Sequence, residues 1–233
     1  MPTGVFIDCL CVLCGGIAGA TLQKKVPQKI NAPLTAIFGV CAMAIGMVSL
    51  IKLHSLPAVI LALIAGACIG ECLNLDGKIK RLFSKALGKL RFQINGERDA
   101  YLSFYLIVAV TFCASGTNIF GAINEGISGD NTILLAKAAM DIFASFIFAT
   151  TLGYAMLLIV IPQCLFLSLC FYAAQPLMSV ISATMLADFV AVGGLITFIL
   201  GLNIAKIKEI SAGNLLPSLV LAFPVSYLFS LFL

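Results

Sequence analysis

The sequence predicts an all-α polytopic membrane protein with about eight transmembrane helices. Of its 233 residues, 61% are hydrophobic and only 10% are charged, and the mean hydropathy is +1.13. Apolar runs of roughly 18 or more residues recur along the chain, and about 20 helical residues cross a bilayer core. Because no water satisfies backbone groups there, such runs form helices or closed barrels, and continuous rather than alternating runs indicate helices.

Eight candidate spans follow from these runs, all within one integral membrane domain that covers residues 1–233. The fifth and sixth follow each other almost without a loop, so their shared boundary is the least defined. The predicted spans are 4–22, 33–51, 56–73, 100–117, 131–152, 153–174, 184–205 and 213–232.

Basic residues in three connecting segments predict the orientation. Lysines follow the first and seventh spans, and seven Lys and Arg residues lie between the third and fourth. Cytoplasmic loops carry the excess of Lys and Arg, so with eight spans all three segments are cytoplasmic and both termini lie outside. Only Lys52 and His54 are basic residues in a segment that this topology places outside. The basic residues that carry the argument are Lys24, Lys25, Lys29, Lys78 to Arg98, Lys206 and Lys208.

The long basic segment predicts an amphipathic helix over 77–91. In "KIKRLFSKALGKLRF" apolar residues recur at helical spacing, and lysines and arginines occupy the other face. Such a helix lies on the membrane surface and binds anionic lipid of the cytoplasmic leaflet. It serves either as a topological anchor or as a regulatory or partner-binding element.

Two segments of the chain resemble each other. Gly39 and Gly46 are followed by "LPAVILAL" from Leu56, and Gly194 and Gly201 are followed by "LPSLVLAF" from Leu216. On the predicted topology the second and seventh spans run in opposite directions, so the resemblance predicts an inverted repeat, a common plan of secondary transporters. The alternative is chance, because glycines and Leu-Pro pairs are frequent in membrane helices.

Three ionisable residues interrupt the apolar stretch "GDNTILLAKAAMDIF", residues 129–143. Asp130, Lys137 and Asp141 are separated by seven and four residues, which places them on one helix face. An ionisable residue at mid-membrane costs about 2.5–3.5 kcal/mol and normally faces a bundle interior. The group is either a structural ion pair, Lys137 with Asp141, or part of a conduction or coupling site.

Further polar residues extend this candidate site. The segment "CASGTNIFGAINEGISGDN" contains four glycines, Asn118 and Glu125, and suits either a broken or re-entrant helix lining a cavity or a plain outer loop. Asp8 and Glu71 add carboxylates to the first and third spans. Carboxylates outnumber intramembrane cations, so we expect a cationic solute or a coupling H⁺ or Na⁺ rather than an anion.

Several other classes of function are disfavoured. The formal net charge of +4 is small, and the positive groups are concentrated in a few loops, which indicates topology rather than nucleic-acid binding. Nearly all nine cysteines lie in apolar runs without neighbouring histidines, so we expect no metal site and no disulfide framework. The chain has no ATP-binding loop and no facing acid pair for proteolysis, so we expect neither an enzyme nor a cofactor.

The order of motifs resembles an uncharacterised bacterial inner-membrane family, the YdfK/YqgA type, a domain of unknown function. The motifs are "GACIGE", "LDGKIKRL", "GAINEGISGD" with "LLAKAAMD", and "GLNIAKIKEISAGNLLP". The resemblance covers nearly the whole chain and implies a multi-pass plasma-membrane protein that is presumed to be a transporter.

We therefore expect a secondary transporter for a small, cationic or zwitterionic solute, with the lipid bilayer and that solute or ion as its partners. The alternative is a channel or a non-transporting subunit of a larger complex. The sequence leaves a homo-oligomer open and does not name the substrate.

Overall fold

The chain folds into ten α-helices in a computed structural model that describes residues 1–23, 28–51, 53–89, 98–113, 115–178 and 181–231. No strand occurs among these residues, which confirms the predicted all-α polytopic fold. The helices are α1 Thr3–Leu22, α2 Gln28–Leu50, α3 Leu56–Leu73, α4 Leu75–Lys89, α5 Arg98–Cys113, α6 Gly116–Ser128, α7 Thr132–Leu152, α8 Val160–Met178, α9 Ala183–Ile204 and α10 Leu216–Ser230. Of the basic residues behind the topology prediction, Lys24, Lys25, Lys52 and Arg91 lie outside the described ranges.

Seven stretches of the described chain are long and apolar enough to cross a membrane. One of them, Thr132–Pro176, has 45 residues, about twice the length that one crossing needs. Large apolar side chains cover its outer surface and that of the neighbouring helices; Phe143 is 71% exposed and Leu165 is 69% exposed. This surface suits contact with lipid tails, since a water-soluble protein rarely exposes so much apolar area.

The chain reverses direction between α7 and α8. Gly4, near the start of α1, faces Leu134 near the start of α7, and Gly126, just before α7, faces Phe171 late in α8. The start of α7 and the end of α8 therefore lie at the same end of the bundle, so the long stretch provides two antiparallel segments. The reversal begins at Gly153, whose φ of 63° and ψ of −150° favour glycine. A 3₁₀ turn leads from there into α8.

Helices α5 and α6 form one two-part crossing. The Tyr101 hydroxyl, near the start of α5, donates to the Leu152 carbonyl at the end of α7 (2.8 Å), whereas Gly121 of α6 faces Leu134 near the start of α7. The pair therefore runs antiparallel to α7. After the break that follows Cys113, α6 extends beyond the fourth predicted span, 100–117, to Ser128, and much of it is buried inside the bundle.

Close helix contacts depend on glycine. A Cβ atom added at Gly15 of α1 would lie 2.2 Å from the Ile142 carbonyl oxygen of α7, and one at Gly70 of α3 would lie 2.0 Å from the Asn214 carbonyl oxygen, next to α10. In lipid no hydrophobic force presses helices together, so small residues that permit close packing provide much of the attraction. The pairs α1–α7, α2–α9 and α3–α10 are the most extensive contacts among the described helices.

Helix α4 covers the predicted amphipathic segment up to Lys89, and residues 90 and 91 lie outside the described ranges. Asn74, with a left-handed φ of 47°, ends α3 and turns the chain into α4. The buried Asp76 carboxylate accepts from the Gly213 N–H (3.1 Å), and the Asp76 N–H donates to the Asn214 side chain (2.8 Å). These bonds fix the first turn of α4 to the segment that precedes α10.

We expect Gly15→Ala to destabilise the protein more than the control Gly121→Ala. At Gly15 the new methyl group meets a backbone oxygen, so α1 and α7 must separate. At Gly121 it meets the flexible Leu134 side chain at 2.9 Å, which can move. Overpacking costs about 1–3 kcal/mol, and we expect Gly15 to lie at the upper end. Thermal unfolding of the purified variants measures the difference; equal melting temperatures would contradict it.

Candidate functional site

Four buried polar side chains from three helices meet inside the bundle. Lys137 and Asp141 lie one turn apart on α7 and form an ion pair. Asp8 projects from α1 and Gln163 from α8, and the Gln163 side-chain amide donates to the Asp8 carboxylate (2.8 Å). Both are fully buried, Asp141 is 1% exposed and Lys137 is 9% exposed. We call these four residues the buried charge centre.

Helix packing brings the four side chains together. Asp8 lies between two glycines of α1 that contact α7, Gly4 and Gly15. The same helix presents Gly16 to Leu157, in the 3₁₀ turn that leads into α8. Because α7 runs parallel to α1 and α8 runs antiparallel to it, α1 can place Asp8 against residues of both.

The charges in the centre do not balance. Asp8 interacts electrostatically with both Lys137 and Asp141, and the two carboxyl groups are direct neighbours. The Phe112 ring of α5 covers the Lys137 ammonium group at 5.8 Å, a favourable cation–π contact. With ionised side chains the centre holds two negative charges and one positive charge, and a net charge in the apolar interior is costly.

Each carboxylate in the centre uses only one oxygen in hydrogen bonding to the protein. Asp8 Oδ1, Asp141 Oδ2 and Gln163 Oε1 are buried and have no partner among the described groups. Asp188 of α9 provides the contrast. Its Oδ1 accepts from the His54 and Ser55 N–H groups (2.8 Å each), and its Oδ2 accepts from the Ser226 hydroxyl (2.6 Å). Both oxygens of Asp188 therefore accept hydrogen bonds, and the residue links the helices around it. In the buried charge centre, by contrast, carboxylate oxygens remain available as acceptors.

Glu125 and Asn118 lie on α6, and both are buried. Glu125 Oε1 accepts from the Thr3 hydroxyl (2.9 Å) and the Gly4 N–H (2.7 Å), which caps the positive end of the α1 dipole. Asn118 donates to the Phe112 carbonyl (2.9 Å) across the break between α5 and α6. One oxygen of each side chain, Glu125 Oε2 and Asn118 Oδ1, lacks a partner among the described groups.

Asp130 and Glu71 do not join the buried charge centre. Asp130 precedes α7, is exposed, and accepts from the Thr132 hydroxyl and N–H; these bonds hold its pKa below the ordinary value. The three charges therefore separate into a buried pair, Lys137 with Asp141, and an exposed residue just before the start of α7. Glu71 is exposed near the end of α3, which packs chiefly against α10.

Gln163 is the site residue that sequence reasoning missed. An amide in the apolar run "IVIPQCLFL" is a detectable signal, since an unpaired amide in lipid is costly. Its partner Asp8 lies 155 positions away, and only the fold brings the two together.

Comparison with known proteins identifies the family. The model of the family described as "Protein of unknown function (DUF554)" matches residues 3–227. The chain belongs to this family. The predicted resemblance to the YdfK/YqgA type is thereby confirmed.

Two relatives in this family align over nearly their whole length. "Uncharacterized protein YqgA" of Escherichia coli (strain K12) is 40% identical over 227 residues, 97% of each chain. "Uncharacterized membrane protein YdfK" of Bacillus subtilis (strain 168) is 25% identical over 224 residues, 94% of this chain and 93% of its own. No solved structure matches. The second name agrees with the apolar helices described above, and the chain is a membrane protein.

We expect Lys137→Met to destabilise the protein and the double change with Asp141→Asn to restore stability. The single change leaves two buried carboxylates without a cation, and breaking a buried pair costs about 3–5 kcal/mol on soluble-protein precedent. The double change leaves one carboxylate, Asp8, which a proton can neutralise. Thermal unfolding of both variants measures the effect. A double variant less stable than Lys137→Met would contradict the electrostatic explanation.

Proposed function

We propose that the protein is a secondary transporter of a small cationic or zwitterionic solute across the bacterial plasma membrane. In this proposal the buried carboxylates bind the solute or a coupling ion. The observation that carries it is the charge imbalance of the buried charge centre, two carboxylates for one lysine, together with their unused oxygens. The sign of the imbalance favours a cationic ligand over an anionic one.

A purely structural ion pair explains the centre less well. Such a pair would need one acid and one base, with all remaining polar atoms satisfied in the way that both oxygens of Asp188 are satisfied by neutral donors. Here Asp8 adds a second acid, and three polar atoms from three helices have no partner in the part of the chain that the structure describes. The extra carboxylate and the unsatisfied polar atoms lower the stability of the fold. A function that uses the extra carboxylate therefore explains the arrangement better than a structural role does.

The polar residues of α6 support a route from the outer surface. Glu125 lies at the start of α1, at the outer end of the bundle in the predicted orientation. In the antiparallel register that Gly121 and Leu134 set, Asn118 falls at the depth of Lys137. Both side chains carry a buried oxygen that lacks a partner among the described residues, and such groups suit a polar path.

The contacts of α2 with α9 support the inverted-repeat hypothesis. If the two segments are equivalent, Gly39 corresponds to Gly194 and Gly46 to Gly201. In the structure Gly39 faces Gly201 and Gly46 faces Gly194, so each glycine contacts the counterpart of the other. Reciprocal contacts of this kind are expected around a two-fold axis. Inverted repeats of this type support alternating access in many secondary transporters.

Transport by vesicles that contain the purified protein tests the proposal. We expect wild-type uptake of a solute found in a screen of small cations and zwitterions to be saturable and to depend on an ion gradient. The Lys137→Met, Asp141→Asn double variant should fold, since a proton can neutralise Asp8, the one carboxyl group that remains, but it should lose uptake. Asp130→Asn, which changes an exposed carboxylate of the same region, is the matched control and should retain it.

The outcomes separate the alternatives. Wild-type uptake rates from the double variant would show that the pair is only structural. Flux that does not saturate would indicate a channel, and a wild-type protein that is inert alone but co-purifies with a partner would indicate a subunit.

We also propose that α4 binds anionic lipid of the cytoplasmic leaflet. Lys78, Arg81 and Lys85 are exposed, and Leu82 beside them is 66% exposed. Lys80 differs because it pairs with Asp76 at 2.6 Å. An exposed basic face fixed near the membrane surface attracts anionic headgroups.

Replacing Lys78, Arg81 and Lys85 with glutamine should reduce the anionic lipid that co-purifies with the protein. Each basic residue near an anionic surface contributes about 1 kcal/mol. Lys80→Gln is the control and should have a smaller effect, since Asp76 already neutralises that lysine. Quantifying lipid per protein by mass spectrometry checks the difference; equal retention by the triple variant and wild type would overturn the proposal.

A further inference from the structure

The two carboxyl groups of the buried charge centre share one unusual property. Asp8 uses Oδ2 for the Gln163 amide, and Asp141 uses Oδ1 for the Lys137 ammonium group. The second oxygen of each group, Asp8 Oδ1 and Asp141 Oδ2, is buried and has no partner among the described groups.

The position of these groups makes two ionised carboxylates unfavourable. They come from two helices whose backbones touch, and the two carboxyl groups interact electrostatically. Like charges in contact and away from water cannot both be retained without a large electrostatic cost. Each group is also a pure acceptor when ionised, so neither can satisfy the unused oxygen of the other. One proton changes this, because a carboxylic acid donates to a carboxylate.

We propose that Asp8 and Asp141 together hold one exchangeable proton, which bridges their two unused oxygens, and that H⁺ is the coupling ion of this transporter. The coupling role rests on the proposed function, whereas the shared proton does not. With the proton in place, one carboxylic acid, one carboxylate and one ammonium group make the centre neutral. Both buried oxygens then belong to one hydrogen bond.

The charge balance implies that the proton and a cationic solute exchange for each other at this site. When the O–H bond breaks and the proton leaves to water, both electrons of that bond stay on the carboxylate, and the centre acquires a net charge of −1. A cationic group that enters restores neutrality, and it must leave before the proton returns. Proton and cationic solute therefore compete for one negative charge, which is the requirement for antiport.

The other titratable groups around Asp8 leave this assignment intact. Lys137 of α7 is the only cation that interacts with Asp8 among the described groups, and it already donates to Asp141. Glu125 of α6 lies farther out, bonded to the start of α1. The remaining titratable neighbours of Asp8 are the Cys9 and Cys11 thiols, which are neutral near pH 7. Cys113 and Cys164, which interact with Cys9, are thiols as well.

Infrared spectroscopy of the purified protein tests for the shared proton. A protonated carboxylic acid has a C=O stretch that an ionised carboxylate lacks, and the stretch shifts in D₂O. At neutral pH we expect the wild-type protein to show this band with the intensity of one carboxylic acid. Asp8→Asn and Asp141→Asn should each abolish it, since one carboxylate then remains for one lysine. Asp130→Asn, an exposed control, should leave the band unchanged.

Two results would overturn the proposal. The first is a wild-type spectrum without the band at neutral pH, which requires no variant to fold. The second is a band that survives in both Asp8→Asn and Asp141→Asn, since the proton would then reside elsewhere.

Vesicle transport separates this inference from the proposed function. Solute uptake by a protein that lacks the band would leave the transporter proposal standing and refute the shared proton. The band without uptake of any screened solute would establish the proton pair and refute its coupling role. When both are present, an imposed pH gradient should drive uptake, and Asp8→Asn should lose that dependence.

Discussion

Close contact between helix backbones is the constraint on which this structure depends. In lipid, the apolar faces of two helices gain little by meeting, so the bundle must gain its stability from tight packing. Glycine faces make that packing possible between α1 and α7 and between α2 and α9. The same contacts position the polar residues. Asp8 reaches the ion pair of α7 because Gly15, two turns away, allows the two backbones to touch.

Burial of charge is the opposing constraint, and the bundle meets it in two ways. At Asp188 both carboxylate oxygens are satisfied, so the residue joins the turn before α3 to α9 and α10. At the buried charge centre satisfaction is incomplete and the formal charges are unequal. The contrast matters because Asp188 and Asp8 look alike in the sequence, where each is a single aspartate in an apolar run. The number of hydrogen-bond donors around each carboxylate distinguishes the structural role of Asp188 from the functional role proposed for Asp8.

The sequence predicted the membrane class and most helix positions, because apolar runs of bilayer length leave few alternatives. It also predicted the Lys137–Asp141 pair, since residues four apart on a helix meet. It could not tell that Asp130 is exposed, because exposure at the start of α7 depends on which other segments cover it. Nor could it join Asp8 to Gln163, since contacts between distant helices depend on packing.

The reversal at Gly153 has a consequence for motion. Helix α7 continues through Gly153 and the 3₁₀ segment Gly153–Ile159 into α8, so Lys137, Asp141 and Gln163 belong to consecutive, antiparallel helices. Asp8 belongs to α1, which touches α7 along faces without side chains at Gly15 and Gly19. Sliding of α1 would thus change the separation of the two carboxyl groups while the Lys137–Asp141 pair stays intact. The distance between the Asp8 and Asp141 carboxyl groups therefore depends on the position of α1 along α7, whereas the Lys137–Asp141 pair lies within one helix.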